Sequence, residues 1–288
     1  MAVKFQHLIS QGEKWKTLPL YEAAFPEDQG DYANYYYEWK CRDNEVLVLA
    51  DSDNSSPVIC SMLHLNPYRM WVSSRIERVH YIVAVATALP YRRQGYMRML
   101  LKQAFQWLYQ QKEPFTYLMP ANRIYYEPFG FRVIYDQAPV SFPEEIEEAN
   151  RQIIKQYDVA TLRDEAYMGF LEAEPDGIDT KEDGHWKPQI MCRIIHAGHF
   201  LECLRAYKPR QIDLCLADPL IAENNGWYRW QVDESSSKVR RLANPEEGAC
   251  CLTISVEELA EQLFGVAPCH PALSEIKLLK RICINEEV

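Results

Sequence analysis

The stretch His80-Tyr81-Ile82-Val83-Ala84-Val85-Ala86-Thr87, followed by Ala88-Leu89-Pro90-Tyr91-Arg92-Arg93-Gln94-Gly95-Tyr96-Met97-Arg98, decides the fold. Its first eight residues are almost all apolar and rich in β-branched side chains, which predicts a central strand covered on both faces. Ala88 to Gly95 is a short basic turn. Beyond it, Met97, Leu100, Leu101, Ala104, Phe105 and Leu108 recur at helical spacing and give one apolar face that must pack on a sheet. Pro114 marks the end of this helix, and Phe115 to Met119 reads as the next strand. Strand, turn, helix and strand in this order predict a βαβ crossover, so the fold class is α/β.

Working outward, residues 12–25 and 31–40 read as two early helices, the second crowded with aromatics. Glu45 to Ala50 and Val58 to Leu63 flank a polar turn and predict a hairpin. Arg123 to Phe129 fits a short helix closed by Gly130, and Phe131 to Tyr135 returns as a strand. Residues 143–185 are acidic and only partly periodic, which suggests a helical connector and a loop-rich segment around 173–186. A second compact unit begins near Trp186. In it, Ile194 to Tyr207 reads as a helix. Gln211 to Ala217, Gly226 to Val232 and Cys250 to Ser255 read as strands, and Val256 to Phe264 as a closing helix with Gly265 past its end.

The bulk numbers exclude several classes. The chain has 288 residues, 48% hydrophobic and 25% charged, which suits a two-domain globular protein. No apolar run is long enough to span a membrane. Met1 to Ser10 lacks the features of a secretory signal, so a cytoplasmic location is expected. A net charge of −10, with basic clusters only at Arg92-Arg93 and Lys238 to Arg241, argues against a nucleic-acid partner and favours cationic ones. The nine cysteines contain no Cys-x-x-Cys pair. Cys250-Cys251 and Cys269-His270 lack zinc-ligand spacing, and His196-x-x-His199 has no third ligand in sight, so no metal is expected.

The basic turn has a definite chemistry. The first N–H groups of a helix have no internal acceptor and lie at the positive end of its dipole, so a diphosphate can be held there. Gly95 permits close backbone approach, and Arg92, Arg93 and Arg98 add charge-assisted contacts. The plainer reading is a solvated turn that caps an amphipathic helix. Tyr126-Glu127-Pro128-Phe129-Gly130-Phe131 is the second motif. A phenol within hydrogen-bond reach can stabilise or protonate a leaving thiolate; equally, these rings could simply close the core.

Arg92-x-x-Gly95-x-Met97 after an apolar strand resembles the pyrophosphate loop of GNAT acetyltransferases. The usual pattern has Gly or Ala where Met97 stands, and that departure is similar to the "enhanced intracellular survival" branch. The Tyr126 to Phe131 segment resembles the Tyr-x-x-Phe-Gly-Tyr/Phe segment of the same family. The resemblance implies a mixed-sheet acetyltransferase domain over residues 1–140, a connector over 141–185 and a smaller sterol-carrier-like α/β domain over 186–288. Longer members insert a second, degenerate acetyltransferase-like domain where this chain has only the connector.

The implied activity is transfer of an acetyl group from acetyl-CoA to a primary amine by direct attack in a ternary complex. The implied acceptor is a small polycation, an aminoglycoside-like molecule or a lysine. The implied cofactor contacts are Val85, Ala86, Thr87, Arg92, Arg93, Gln94, Gly95, Tyr96, Met97, Arg98, Ala121 and Asn122. Tyr126 is the implied general acid and the terminal carboxylate, on Val288, the implied base. Ile282 and Ile284 suggest a docked tail, though an acidic frayed one fits the composition as well; the short connector leaves open both its reach and the family's homo-oligomer. Phe25, Asp31, Tyr36 and Trp39 fall where the resemblance puts the acceptor, while core packing explains the aromatics equally. A non-catalytic acetyl-CoA sensor or ligand-binding module is the alternative, with the sterol-carrier-like part as its binding element.

Overall fold

The structure, a computed structural model, describes residues 3–28, 30–51, 58–175, 188–244 and 251–285. In chain order the first elements are β1 (Val3–Leu8), α1 (Gln11–Lys14), α2 (Leu18–Ala24), α3 (Asp31–Tyr35), β2 (Glu45–Asp51), β3 (Val58–Val72) and β4 (Arg75–Thr87). Then come α4 (Tyr96–Gln110), β5 (Phe115–Leu118), β6 (Arg132–Asp136), α5 (Ile146–Gln156), β7 (Val159–Thr161), α6 (Glu165–Ala173) and β8 (Gln189–Ile194). The last are α7 (Ala197–Cys203), β9 (Arg210–Ala217), β10 (Gly226–Val232), β11 (Ser237–Leu242), β12 (Cys251–Ser255), α8 (Val256–Leu263) and β13 (Ile282–Cys283).

The main sheet runs β1-β2-β3-β4-β5-β8-β6, with β7 added to the end of β3 and β13 to β7. Strand alternation divides its core. Leu47 and Leu49 join the α4 helix residues Leu100, Leu101, Ala104, Phe105 and Leu108 on one face. Val46 and Val48 join Leu20, Tyr21, Tyr36 and Tyr37 from the N-terminal helices on the other. Both faces are therefore apolar, which is why these strands read as near-continuous hydrophobic runs. The first core extends into a second sheet, β11-β10-β9-β12, through Leu214, Leu216 and Trp230 and the α8 residues Leu259 and Leu263.

Several expectations are corrected. Ile194 to Tyr207 is not one helix. Its first residue ends β8, which inserts between β5 and β6, and only Ala197–Cys203 is helical. The early helices are broken by tighter turns, and Tyr36–Lys40 is a π-helical turn. The helix α4 stops at Gln110, ahead of Pro114, where Lys112 turns left-handed at φ 60°. Arg123 to Phe129 is two 3-10 turns, Arg123–Tyr125 and Glu127–Phe129. Strands β1, β7 and β11 were not expected.

A buried ion pair ties β8 to the second sheet. Arg193 is fully buried and donates to Asp218 Oδ1 at 2.7 Å, and its guanidinium lies 4.7 Å from the Phe105 ring centre. Asp218 Oδ1 also accepts from the Leu220 and Ile221 N–H groups, and its Oδ2 from Asn224 Nδ2 at 2.9 Å. A carboxylate with that many donors is compensated for leaving water. Among the described residues no helix is long and apolar enough to cross a membrane.

Candidate active site

The site begins where two parallel strands part. β4 and β5 share a single register pair, Tyr81 with Tyr117, whose rings stack at 5.1 Å. β5 ends at Leu118, but β4 continues to Thr87, paired only with β3 on its other side. Between Val83, opposite His64, and Ala86, opposite Met62, β4 carries one residue more than β3. Ala84 takes up the surplus at φ 52°, a left-handed conformation uncommon for a residue with a Cβ.

Past this bulge the strand's polar edges are assigned by alternation. The Ala86 carbonyl faces β3, where Ser61 Oγ donates to it at 2.9 Å, and the Ala88 N–H donates to Cys60 O at 2.9 Å. Val85 and Thr87 therefore turn their main-chain groups to the open edge. Arg92 Nε donates to the Thr87 carbonyl at 3.0 Å. Of the three strand residues expected to contact the cofactor through the backbone, Ala86 points the wrong way.

The open edge leads into the basic turn. Gly95 sits at φ 83° as the residue before α4, where any side chain would strain the backbone although nothing lies within 4 Å of its Cβ position. No side chain caps α4, so the first N–H groups of this 15-residue helix stay available. Arg92, Arg93, Gln94 and Gly95 are exposed, and Tyr96 and Met97 half-buried. Gln94 donates to Pro90 O at 3.2 Å and accepts from the Tyr96 hydroxyl at 3.1 Å, which holds the turn in shape.

Arg98 connects the two sequence motifs, since its guanidinium lies 5.1 Å from the ring centre of Phe129. Asn122 Oδ1 caps the first 3-10 turn by accepting from Ile124 N at 3.1 Å, beside exposed Ala121. Gly130 closes the second turn at φ 81°, where any side chain strains the backbone, and a Cβ there would also push on Glu257 Oε1 at 2.9 Å and on the Arg193 guanidinium at 3.3 Å. Tyr126 is half-buried with its ring edge-on to Phe131 at 6.0 Å. Its hydroxyl has no hydrogen-bond partner among the described residues. Burial pushes its phenol up to about 12, so it keeps its proton at neutral pH.

The four acceptor-side residues do not form one wall. Tyr36 is fully buried, stacks on Tyr21 at 5.0 Å and shares a hydrogen bond between its hydroxyl and His64 Nδ1 at 2.8 Å. It is core, with no surface to offer a substrate. Phe25 is half-buried against Tyr21, Asp31 is exposed at the start of α3, and Trp39 is exposed beside Gly169 of α6. The sequence reading missed a cavity of about 290 Å³ lying between the start of β2 and the end of β7. Asn44 and Asn66 line it, both buried, with Asn44 Oδ1 and both side-chain atoms of Asn66 lacking a partner among the described residues.

Val288 lies outside the described residues. The tail is docked as far as they go: Ile284 is buried, its carbonyl accepts from Gln137 Nε2 at 3.1 Å, and Asn285 donates to Ala138 O at 2.8 Å. Burial pushes the Cys41 thiol up to about 12 and raises that of Cys60, so neither is an activated nucleophile. The two histidines of His196-x-x-His199 diverge. His196 caps α7 by accepting from His199 N at 3.0 Å and stacks on Tyr109, whereas His199 turns to Glu77.

Comparison with known proteins bears on the fold. Residues 7–134 match the family model described as "Acetyltransferase (GNAT) domain". No curated protein matches the sequence at a significant level. Among solved structures, a conserved Enterococcus faecalis protein described as a probable N-acyltransferase is 13% identical with a TM-score of 0.71, covering 96% of this chain and 94% of its own. A GCN5-related N-acetyltransferase from Anabaena variabilis is 15% identical with a TM-score of 0.67, covering 96% and 94%. Eis1 from Mycobacterium abscessus is 12% identical with a TM-score of 0.59, covering 90% and 88%. At these identities the likeness is one of fold. The family match adds the chemistry it describes: acetyltransferases of that family use acetyl-CoA, and the matched residues 7–134 are the ones that hold the open β4 edge, the uncapped α4 and Tyr126.

Proposed function

We propose that this protein moves the acetyl group of acetyl-CoA to a primary amine on a small polycation, an aminoglycoside-like molecule or a lysine. The observation that carries the reading is the β4 edge at Val85 and Thr87, joined to no second strand there, leading through the basic turn to the uncapped N-terminus of α4. An amide-bearing pantetheine arm adds to such an edge as a strand would, and a diphosphate takes the helix N-terminus with Arg92, Arg93 and Arg98 around it. Gln94, Gly95, Tyr96 and Met97 shape that cradle, and Ala121 and Asn122 flank the arm on the β5 side.

The amine nitrogen attacks the thioester carbonyl carbon, the C–S bond breaks, and the sulfur leaves as thiolate. Tyr126 keeps its proton and hydrogen-bonds to that sulfur as charge gathers there, and the thiolate takes up the second proton that the attacking nitrogen loses as the amide forms. The ammonium proton goes to the terminal carboxylate of Val288, a role supported by the docking of Ile284 and Asn285 against the end of β6. Phe25, Asp31 and Trp39 serve the acceptor side. The negative net charge draws cationic acceptors.

On the same footing we read residues 1–140 as the acetyltransferase part, 141–185 as the connector and 186–288 as the sterol-carrier-like part, whose first strand β8 lies in the acetyltransferase sheet and not in its own, in a cytoplasmic protein capable of homo-oligomer formation. Free-thiol release from acetyl-CoA, screened against aminoglycosides, polyamines and lysine peptides, tests the function. Release with one acceptor class, lost in Tyr126→Phe, supports it. Acetyl-CoA binding without release across the panel favours a sensor.

A further inference from the structure

We propose that Glu77, His199 and Cys203 form a zinc-binding site that joins strand β4 to helix α7. His199 and Cys203 stand four residues apart, so they share one face of α7, and Glu77 meets them from β4. Their ligand atoms all lie within 4.8 Å of one another. Glu77 Oε2 is 2.9 Å from His199 Nε2, and Cys203 Sγ is 3.6 Å from Glu77 Oε1. Tetrahedral zinc sets an oxygen and a nitrogen ligand about 3.3 Å apart, and an oxygen and a sulfur about 3.6 Å. The two contacts use different oxygens of Glu77, and the nitrogen and sulfur, within 4.8 Å, must close by up to about 1.2 Å for one ion to be held by all three.

The surroundings fit the same chemistry. The other ring nitrogen of His199 lies 3.7 Å from the Glu202 carboxylate, longer than a hydrogen bond but on the side where an outer partner of a metal-bound imidazole stands. A cavity of about 170 Å³ bordered by Glu77 and His199, with His80 and Glu113 behind, leaves room for water as the fourth ligand. A carboxylate, a neutral imidazole and a thiolate together match the charge of the ion, and nitrogen with sulfur selects zinc over magnesium or calcium.

Without metal, the His199 ring and the Cys203 thiol each hydrogen-bond to Glu77, and the thiol also lies 3.4 Å from the His199 carbonyl. Burial would raise the Glu77 carboxyl, but the hydrogen bonds from His199 and Cys203 outweigh it and hold it below its ordinary value. Burial and the Glu77 carboxylate push the Cys203 thiol up, so zinc must displace its proton. Arg75, Arg78 and Lys112 oppose the ion from nearby. These features give a three-ligand site weaker than a closed four-ligand one.

The test uses the full chain, reduced and stripped of metal by a chelator. Zinc chloride is titrated against a chromophoric chelator, and cobalt chloride is followed by its thiolate charge-transfer band in the near ultraviolet. The proposal expects one equivalent of zinc with a Kd below about 1 µM. Cys203→Ser and His199→Gln should each weaken binding by about 100-fold, and the former should abolish the cobalt band. Cys251→Ser and Cys269→Ser, at exposed positions, should change nothing. Absence of the band in the unaltered protein overturns the site regardless of how any variant folds, as does zinc affinity that survives His199→Gln and Cys203→Ser combined. Either result leaves the three residues a hydrogen-bonded clasp only. The outcome is independent of whether acetyl transfer is found.

Discussion

Replacing Tyr126 by phenylalanine isolates one oxygen atom. The edge-on contact with Phe131 at 6.0 Å belongs to the ring and survives. The hydroxyl lost has no partner among the described residues, so folding stability should move by no more than about 0.5 kcal/mol. With the phenol at about 12, only about one molecule in ten thousand is ionised at pH 8. Complete proton transfer from such a phenol to a thiolate whose thiol has a pKa near 8.5 is uphill by about 3.5 units, or about 4.8 kcal/mol. The useful contribution is then a hydrogen bond that strengthens as charge gathers on sulfur. Loss of one donor aimed at developing charge costs about 100- to 1000-fold in turnover, equivalent to about 2.7–4 kcal/mol. Steady-state thiol release with a saturating amine should show this fall in kcat, with acetyl-CoA affinity by calorimetry unchanged. Turnover within about threefold of the unaltered enzyme would refute the role. So would a loss of activity matched by a loss of folding stability.

Three further outcomes follow from geometry described above. Gly95→Ala should cost about 1–2 kcal/mol in denaturant unfolding through its left-handed backbone alone, since no atom crowds the Cβ; Gly95→Asn should cost less. Arg193→Met leaves Asp218 buried without its cation and should lower stability by about 3–5 kcal/mol, read as a fall in Tm. Burial holds the His64 imidazole down at about 3, so the unfolded chain binds a proton that the folded chain does not between pH 6.5 and 3. Stability should fall as pH drops through that window, by up to about 1.4 kcal/mol per unit; urea unfolding at pH 7, 6 and 5 should show a shallower loss in His64→Gln.

The elements that place the cofactor were legible because each carries a local signal. α4 has its apolar period, the basic turn its glycine, and β2 and β3 their apolar runs. What stayed hidden depends on distant partners. β8 reads poorly as a strand because it is short and carries the charged Arg193 next to its end, and only Asp218, 25 positions on, makes that charge tolerable. β1 is mostly exposed and shows no alternation. β11 looks like a basic cluster because it is an edge strand with solvated side chains. The misplacing of Tyr36 has a different cause. A π-helical turn over Tyr36–Lys40 advances by more than 3.6 residues, so the helical phase that would sort inward from outward aromatics slips within the run. The pairing of Glu77 with His199 and Cys203 has no local signature at all.

The position of β8 governs how this molecule can be made. Phe115 pairs with Ile194, and Arg132 with Cys192, so neither β5 nor β6 gains its neighbour until the chain has grown well past both. During synthesis the acetyltransferase half emerges first, with the strand edges of β5 and β6 that β8 fills left unsatisfied. It must wait in that state for a segment that arrives later. A fragment cut at residue 140 would keep every cofactor residue named here and still lack the strand that seals its sheet. It should be recovered as aggregate unless a peptide spanning Gln189–Ile194 is supplied with it.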